Sequence, residues 1–209
     1  KWIEKEINRY LNELLKTNKD YVVAVDTDSV YITMDELVKS VYGDKVTDKN
    51  KVIDFLDKVC SEQMEKIIDK SYEKLADYMN AFDQKMVMKR ENLADKALWT
   101  SKKRYIMNVY DSEGVRYEEP QLKIMGIEAI RSSTPAACKQ KMKDIFKIIM
   151  NGTENDAINY IDKFREEFRT LKAEDIFFPR SVRGITKYHD AAQLYIKGSP
   201  IHVKGALIY

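Results

Sequence analysis

Cysteine is scarce in this sequence: there are two in 209 residues, Cys60 and Cys138. Two isolated thiols, each inside a predicted helix, argue against a disulfide framework or a cysteine-based zinc site, and both read as buried and inert. No apolar run approaches the ~20 residues of a membrane span, and no signal peptide precedes the first helix. These absences fit a cytosolic protein with no membrane partner. Internal repeats and low-complexity runs are also missing. What remains is an ordinary soluble composition, 44% apolar and 33% charged, in a chain long enough for one compact domain or two small ones.

The net charge is only +2, but it is unevenly spread. Residues 1–101 carry 17 Lys/Arg against 20 Asp/Glu, and residues 102–209 carry 19 against 14. The stretch 179–209 holds five basic residues (Arg180, Arg183, Lys187, Lys197, Lys204) and one acid, Asp190. An acidic half followed by a basic half suits metal chemistry at one end and a polyanion held at the other. Solvated surface is the plainer reading of the same charges.

Along the chain, residues 2–16 place Trp2, Ile3, Ile7, Tyr10, Leu11, Leu14 and Leu15 at helical spacing. This helix begins at the first residue without a cap, so the chain is expected to be cut from, or to continue, something longer. VVAVDTDSVYI (22–32) then sets β-branched and aromatic residues on both sides of a turn-forming tetrapeptide, which predicts a β-hairpin with DTDS at its tip. Residues 35–50 are polar, with turn or loop signals at Gly43-Asp44 and Thr47-Asp48. A long amphipathic helix is predicted over 51–80, its face formed by Val52, Phe55, Leu56, Val59, Cys60, Met64, Ile67, Ile68 and Leu75. KMVMKREN (85–92) reads as a strand ending near an acid. Asp111-Ser112-Glu113-Gly114 predicts a hairpin pairing 103–110 with 115–119. Thr134-Pro135 and Asn151-Gly152 bracket a further helix as N-cap with first-turn proline and C-cap. Another helix covers 154–170, with Ile158, Ile161, Phe164 and Phe168 inward, and the tail reads as loops and short strands. The order is α+β rather than alternating βαβ, with a domain boundary expected near 122–126.

Three segments carry candidate chemistry. Asp26 and Asp28 stand one residue apart, and two unit charges ~4 Å apart repel by ~1 kcal/mol in water. A hard divalent ion such as Mg²⁺ removes that cost, because it takes carboxylate oxygens together with substrate phosphates and water. A plain turn is the alternative. Glu91, at the end of the predicted 85–92 strand, offers a further acid if that strand joins the hairpin's sheet; a salt bridge to Arg90 or Lys89 is its bland role. Lys102-Lys103-Arg104-Tyr105 puts three cations and an aromatic in four residues. Cations bind phosphates, and lysine also donates to minor-groove acceptors present on every base pair. A basic surface turn is the alternative.

Taken together, these segments resemble the C-terminal part of a family B (α-type) DNA polymerase, most like the replicative polymerases of T-even-like phages. The resemblance runs nearly end to end, on VDTDSVYI (25–32), VIDFLDKV (52–59), MVMKREN (86–92), WTSKKRYIMNVYDSEGVRY (99–117) and EPQLKIMGIEAIRSSTP (119–135). It implies a partial polymerase palm, an antiparallel sheet with packed helices over 1–122, followed by a mainly helical thumb over 123–209. It further implies that Asp28 binds the catalytic metals, that Asp26 is its companion and that Glu91 supports the site. Lys102, Lys103, Arg104 and Tyr105, with Thr27 beside the acids, then grip the primer end. Lys123, Arg131, Ser132, Ser133 and Thr134 enter the grip on the product duplex. The implied chemistry is nucleotidyl transfer from a dNTP with two Mg²⁺ ions. One departure is Val25, where the family usually has glycine.

The family's DxxSLYP and KxxxNSxYG motifs do not occur here, nor does any exonuclease motif. The resemblance therefore predicts that this chain alone is nearly inert. It would work with an N-terminal polymerase part, from the same gene or as a separate chain, and with primer-template DNA. A sliding clamp would be reached through a tail that these residues do not include. An exposed apolar surface is expected where the rest of the palm belongs. A non-catalytic duplex DNA-binding module is the alternative, and retention of Asp26, Asp28 and Glu91 argues against it. A nuclease using the same acids leaves KKRY and the SSTP helix without a part.

Overall fold

The buried residues of the first helix are apolar and spaced four apart. Ile3, Ile7 and Leu11 form one stripe along α1 (Trp2–Leu15). The computed structural model describes residues 1–43 and 48–208. The chain divides into two compact units, Lys1–Lys123 and Ile124–Tyr209.

In the first unit, α1 ends at Lys16 in the left-handed conformation, whose N–H donates to the carbonyl of Asn12. Asn8 Oδ1 then accepts from the Tyr21 N–H at 2.8 Å, which fixes the chain's return into β1 (Val22–Val25). This strand pairs antiparallel with β2 (Val30–Ile32), Val25 opposite Val30. The predicted polar loop contains a helix instead, α2 (Asp35–Tyr42), with Asp35 and Glu36 in its first turn and Leu37 buried. Acids at that end complement the helix dipole, a local signal stronger than the stretch's polarity. Of the predicted turn signals, Asp44 and Thr47 lie outside the described residues. Asp48 caps α3 (Lys49–Val59), its carboxylate accepting from Asn50 N and Lys51 N.

The single helix predicted over 51–80 is interrupted. A π-helical turn, Cys60–Met64, joins α3 to α4 (Glu65–Tyr78). The wider turn rotates the buried stripe, so Ile53 is buried before it, Met64 at its end, and Ile68, Ser71 and Tyr72 after it. Val52, Phe55, Leu56 and Val59 are only half-buried. The core joins α1 to α4 and β1 through Ile3, Ile7, Leu11, Tyr21, Val22, Met64, Ile68 and Tyr72, each large apolar side chain contributing about 1.5–3 kcal/mol. Trp2 Nε1 donates to Ser71 Oγ at 2.9 Å, which satisfies that buried hydroxyl.

The strand predicted over 85–92 does not form. The chain is irregular from the end of α4 until β3 (Asn92–Ser101). β3 pairs antiparallel with β4 (Arg104–Ser112), and β5 (Val115–Met125) completes a sheet in the order β3-β4-β5. Val87 is exposed and Met88 only half-buried, so the apolar alternation of 85–92 finds no ladder, whereas β3 gains one from β4. The turn before β5 has Glu113 and Gly114 at positive φ. β4 is the central strand and is buried from Tyr105 to Val109.

The second unit carries α5 (Ala136–Asn151), α6 (Glu154–Phe168), the short α7 (Ala173–Ile176), a two-residue ladder of β6 (His189–Asp190) with β7 (Leu194–Tyr195), and α8 (Ile201–Ile208). The tail is therefore more helical than its loop-like composition predicts. Pro135, rather than Thr134, stands at the N-cap of α5. The Thr134 hydroxyl donates to the Glu128 carbonyl instead. α6 opens with a capping box, in which Thr153 and Asp156 bond reciprocally. Its predicted inward face is partly outward: Ile158, Ile161 and Phe168 are exposed, and Phe164 packs edge-on against Phe168. The fold is α+β with small antiparallel sheets. No helix among the described residues is long and apolar enough to cross a membrane.

Candidate functional site

The hairpin tip is closed by its own polar residues. Asp26 N donates to the Ser29 carbonyl at 2.9 Å, and Asp26 Oδ1 accepts from the Thr27 N–H at 2.8 Å. Asp and Ser form this turn because their short side chains replace backbone partners, while the β-branched arms fix the register. Asp26 and Asp28 are thereby presented on one exposed turn.

The second element is the β3–β4 turn. Ser101 pairs with Arg104, so Lys102 and Lys103 form its two-residue tip. Lys103 adopts φ 64, a left-handed conformation that costs a non-glycine residue about 1 kcal/mol or more and tends to persist at functional sites. Its ammonium lies 2.9 Å from Asp26 Oδ1. The Lys103 hydrogen bond, reinforced by the Thr27 N–H, holds the Asp26 carboxyl below its ordinary range. Asp26 in turn raises Lys103, with a smaller contribution from Asp28.

Behind this ion pair the two elements are clasped by aromatic rings. The Tyr31 hydroxyl donates to the Tyr105 hydroxyl at 2.9 Å. The Tyr31 ring meets Tyr105 at 5.4 Å and Trp99 at 5.2 Å, both edge-on. Burial, then the Tyr31 hydroxyl, pushes the Tyr105 phenol well above its usual range. The DTDS tip and the KKRY turn, some 75 residues apart in sequence, are thus one local structure.

The other sequence candidates are placed differently. Glu91 precedes β3, its carbonyl accepts from Glu113 N at 2.6 Å, and its exposed carboxylate lies 3.6 Å from Lys123 Nζ. Its carbonyl also accepts from Arg90 Nη1 at 3.4 Å, but among the described residues its carboxylate pairs with Lys123 rather than with Arg90 or Lys89. Among the described residues, no group of three His, Cys, Asp or Glu lies close enough together to hold a metal ion. In the second unit Arg131 pairs with Glu128 at 3.8 Å. Ser132 and Ser133 are exposed, and Thr134 is buried.

Sequence reasoning missed the network beside Glu91. The Arg90 guanidinium, 11% exposed, is held by Asp57 of α3 and by Asp111 of β4, itself 3% exposed. Asp111 also accepts from Gly114 N at 3.0 Å and lies 3.5 Å from Arg116 Nε, while Arg116 reaches Asp54 at 2.9 Å. This joins α3 to the β4–β5 hairpin. Its partners are distant in sequence, so no local pattern marks them. The Tyr31–Tyr105 clasp had a fainter signal, an aromatic on each of the two candidate segments.

The model of the divergent family B DNA polymerases matches residues 5–166, a span that includes both the DTDS tip and the KKRY turn. The chain belongs to the family B DNA polymerases. Along its whole length it is 36% identical to the DNA-directed DNA polymerase of Enterobacteria phage T4 and 38% identical to that of Escherichia phage RB69, over 217 residues in each case. It spans 24% of the length of each of these two relatives.

Proposed function

We propose that this chain is the palm-and-thumb portion of a DNA-directed DNA polymerase, with residues 1–122 as the later part of the palm and 123–209 as the thumb. The reading is carried by the meeting of the two carboxylates with the cationic turn, where Lys103 lies 2.9 Å from Asp26. Template-directed extension needs such a pairing, with oxygen ligands for a cation beside groups that hold a polyanion's end.

The donor set suits Mg²⁺, which is commonly held by one or two carboxylates plus substrate phosphates and water. Asp26 and Asp28 supply two carboxylates on one turn, and Asp26 already has a cationic group at contact distance. When bound, the metal activates the primer 3′-hydroxyl and stabilises the charge leaving on pyrophosphate. Asp26 and Asp28 would hold it, and Glu91 adds negative potential from the start of β3. Lys102, Lys103 and Arg104 bind phosphates of the primer end, Lys103 also reaching minor-groove acceptors. Thr27 stiffens the tip through its N–H bond to Asp26, and Tyr105 anchors the cationic turn to the hairpin through Tyr31. Lys123 in the first unit, and Arg131, Ser132 and Ser133 in the second, are each assigned to contacts with the product duplex, and the Thr134 hydroxyl holds the 128–134 loop by donating to the Glu128 carbonyl.

Exposed apolar residues support a need for further polymerase segments. Val23 and Val25 lie exposed on the outer face of β1, and Phe82 is wholly exposed. The deciding experiment mixes the chain with primer-template, dNTPs and Mg²⁺, with and without a polypeptide carrying the N-terminal polymerase part. Extension only with that part, lost in Asp28→Asn, supports the reading. Tight duplex binding without extension in any combination refutes it in favour of a non-catalytic duplex-binding module.

A further inference from the structure

The Lys103 ammonium holds the position that a divalent cation would be expected to take beside the paired acids. A lysine here is not dictated by the turn, since a two-residue hairpin tip needing positive φ favours glycine or asparagine. Yet Lys103 adopts φ 64, and from there its ammonium reaches Asp26 across two strand elements. The contact is exposed on the lysine side, so it is readily exchanged. We propose that Lys103 is a built-in counter-cation: it neutralises Asp26 while the site holds no metal, and a divalent ion arriving at Asp26 and Asp28 displaces it toward nucleic acid. This rests on the polymerase reading above and adds its loading step. Metal binding and Lys103's grip on DNA become one coupled exchange, each favouring the other, as linkage requires.

The test needs no polymerase activity. Mn²⁺ is titrated into the full chain and free Mn²⁺ is followed by electron paramagnetic resonance, for wild type, Lys103→Met, Lys102→Met and Asp28→Asn. Lys102→Met removes the same charge one residue away. Because an exposed ion pair contributes up to about a fivefold change in an equilibrium, Lys103→Met is expected to bind Mn²⁺ roughly two- to fivefold tighter than wild type, with a smaller change for Lys102→Met and lost binding for Asp28→Asn. In wild type, saturating Mn²⁺ should also raise acylation of Lys103, read by mass spectrometry, more than that of Lys102. If Lys103→Met binds Mn²⁺ no more tightly than Lys102→Met, or Lys103 acylation does not change, the exchange is overturned and the metal reading survives. If no variant binds Mn²⁺, the exchange is overturned, while the polymerase reading is decided separately by the extension assay with the N-terminal part.

Discussion

Replacing Asp111 by alanine should destabilise the first unit by about 2–4 kcal/mol. Removing one partner of a buried ion pair typically costs about 3–5 kcal/mol, because the other charge is left uncompensated. Here Arg90 is 11% and Asp111 3% exposed, so the pair qualifies as buried. Two features reduce the figure: Arg90 keeps Asp57, which is half-exposed, and the Gly114 N–H released at the turn can turn to water. Burial alone would push Asp111 up, but Arg90, the Gly114 N–H and Arg116 outweigh it and hold the carboxyl below its ordinary value. A depressed carboxyl stabilises the fold above its unfolded value of about 3.9 and loses that contribution as pH falls through the lower folded value. The wild type should therefore lose a component of stability below about pH 4 that Asp111→Ala lacks. Urea denaturation followed by tryptophan fluorescence is the assay, since both tryptophans, Trp2 and Trp99, lie in the first unit. The double variant Arg90→Met/Asp111→Ala should cost less than the sum of its singles, because it leaves no orphaned charge. A cost under about 1 kcal/mol for Asp111→Ala, or strict additivity in the double variant, would refute the reasoning.

Two further predictions concern other parts of the fold. Burial pushes the Cys60 thiol up to about 11, so Cys60 should react with iodoacetamide far more slowly than free cysteine at pH 8. A folded value above the unfolded one means that this contribution to stability is intact below about pH 8.5 and lost as pH rises toward 11; rapid alkylation of Cys60 in the native chain at pH 8 would count against it. In the second unit, Thr153→Ala removes the capping box of α6 and should lower that unit's stability by about 1 kcal/mol, read as reduced amide-exchange protection over the first turn of α6.

Where sequence reasoning succeeded, the signal was local. The DTDS hairpin, the turn at 111–114 and the helices α5 and α6 each follow from residues within a few positions of one another. The failures were of contacts made at a distance. β3, with its poor strand composition, is a strand because β4 lies beside it, and KMVMKREN, with a better one, has no neighbour to pair with. The π-helical turn at Cys60–Met64 broke the 3.6-residue rhythm, so the predicted face drifted away from Ile53 and Ser71. At the site, the acids and the cationic turn were each legible as segments. Their meeting through Lys103 and Asp26 was not, and neither was the diversion of Arg90 to Asp57 and Asp111, which left Glu91 to face Lys123.

The ladder between β3 and β4 is uneven in a way that bears on how such chains diverge. Ala94 and Lys96 face consecutive residues of β4, as do Trp99 and Ser101, so Asp95 and Thr100 are supernumerary in the pleat. Losing or gaining a residue at these two points leaves the flanking partners matched, while a change anywhere between them inverts which side chains face inward. Within β3, length variation among sister sequences should therefore gather at 95 and 100. It should spare the interval from Lys96 to Trp99, which sets how far Lys103 is carried toward the acids.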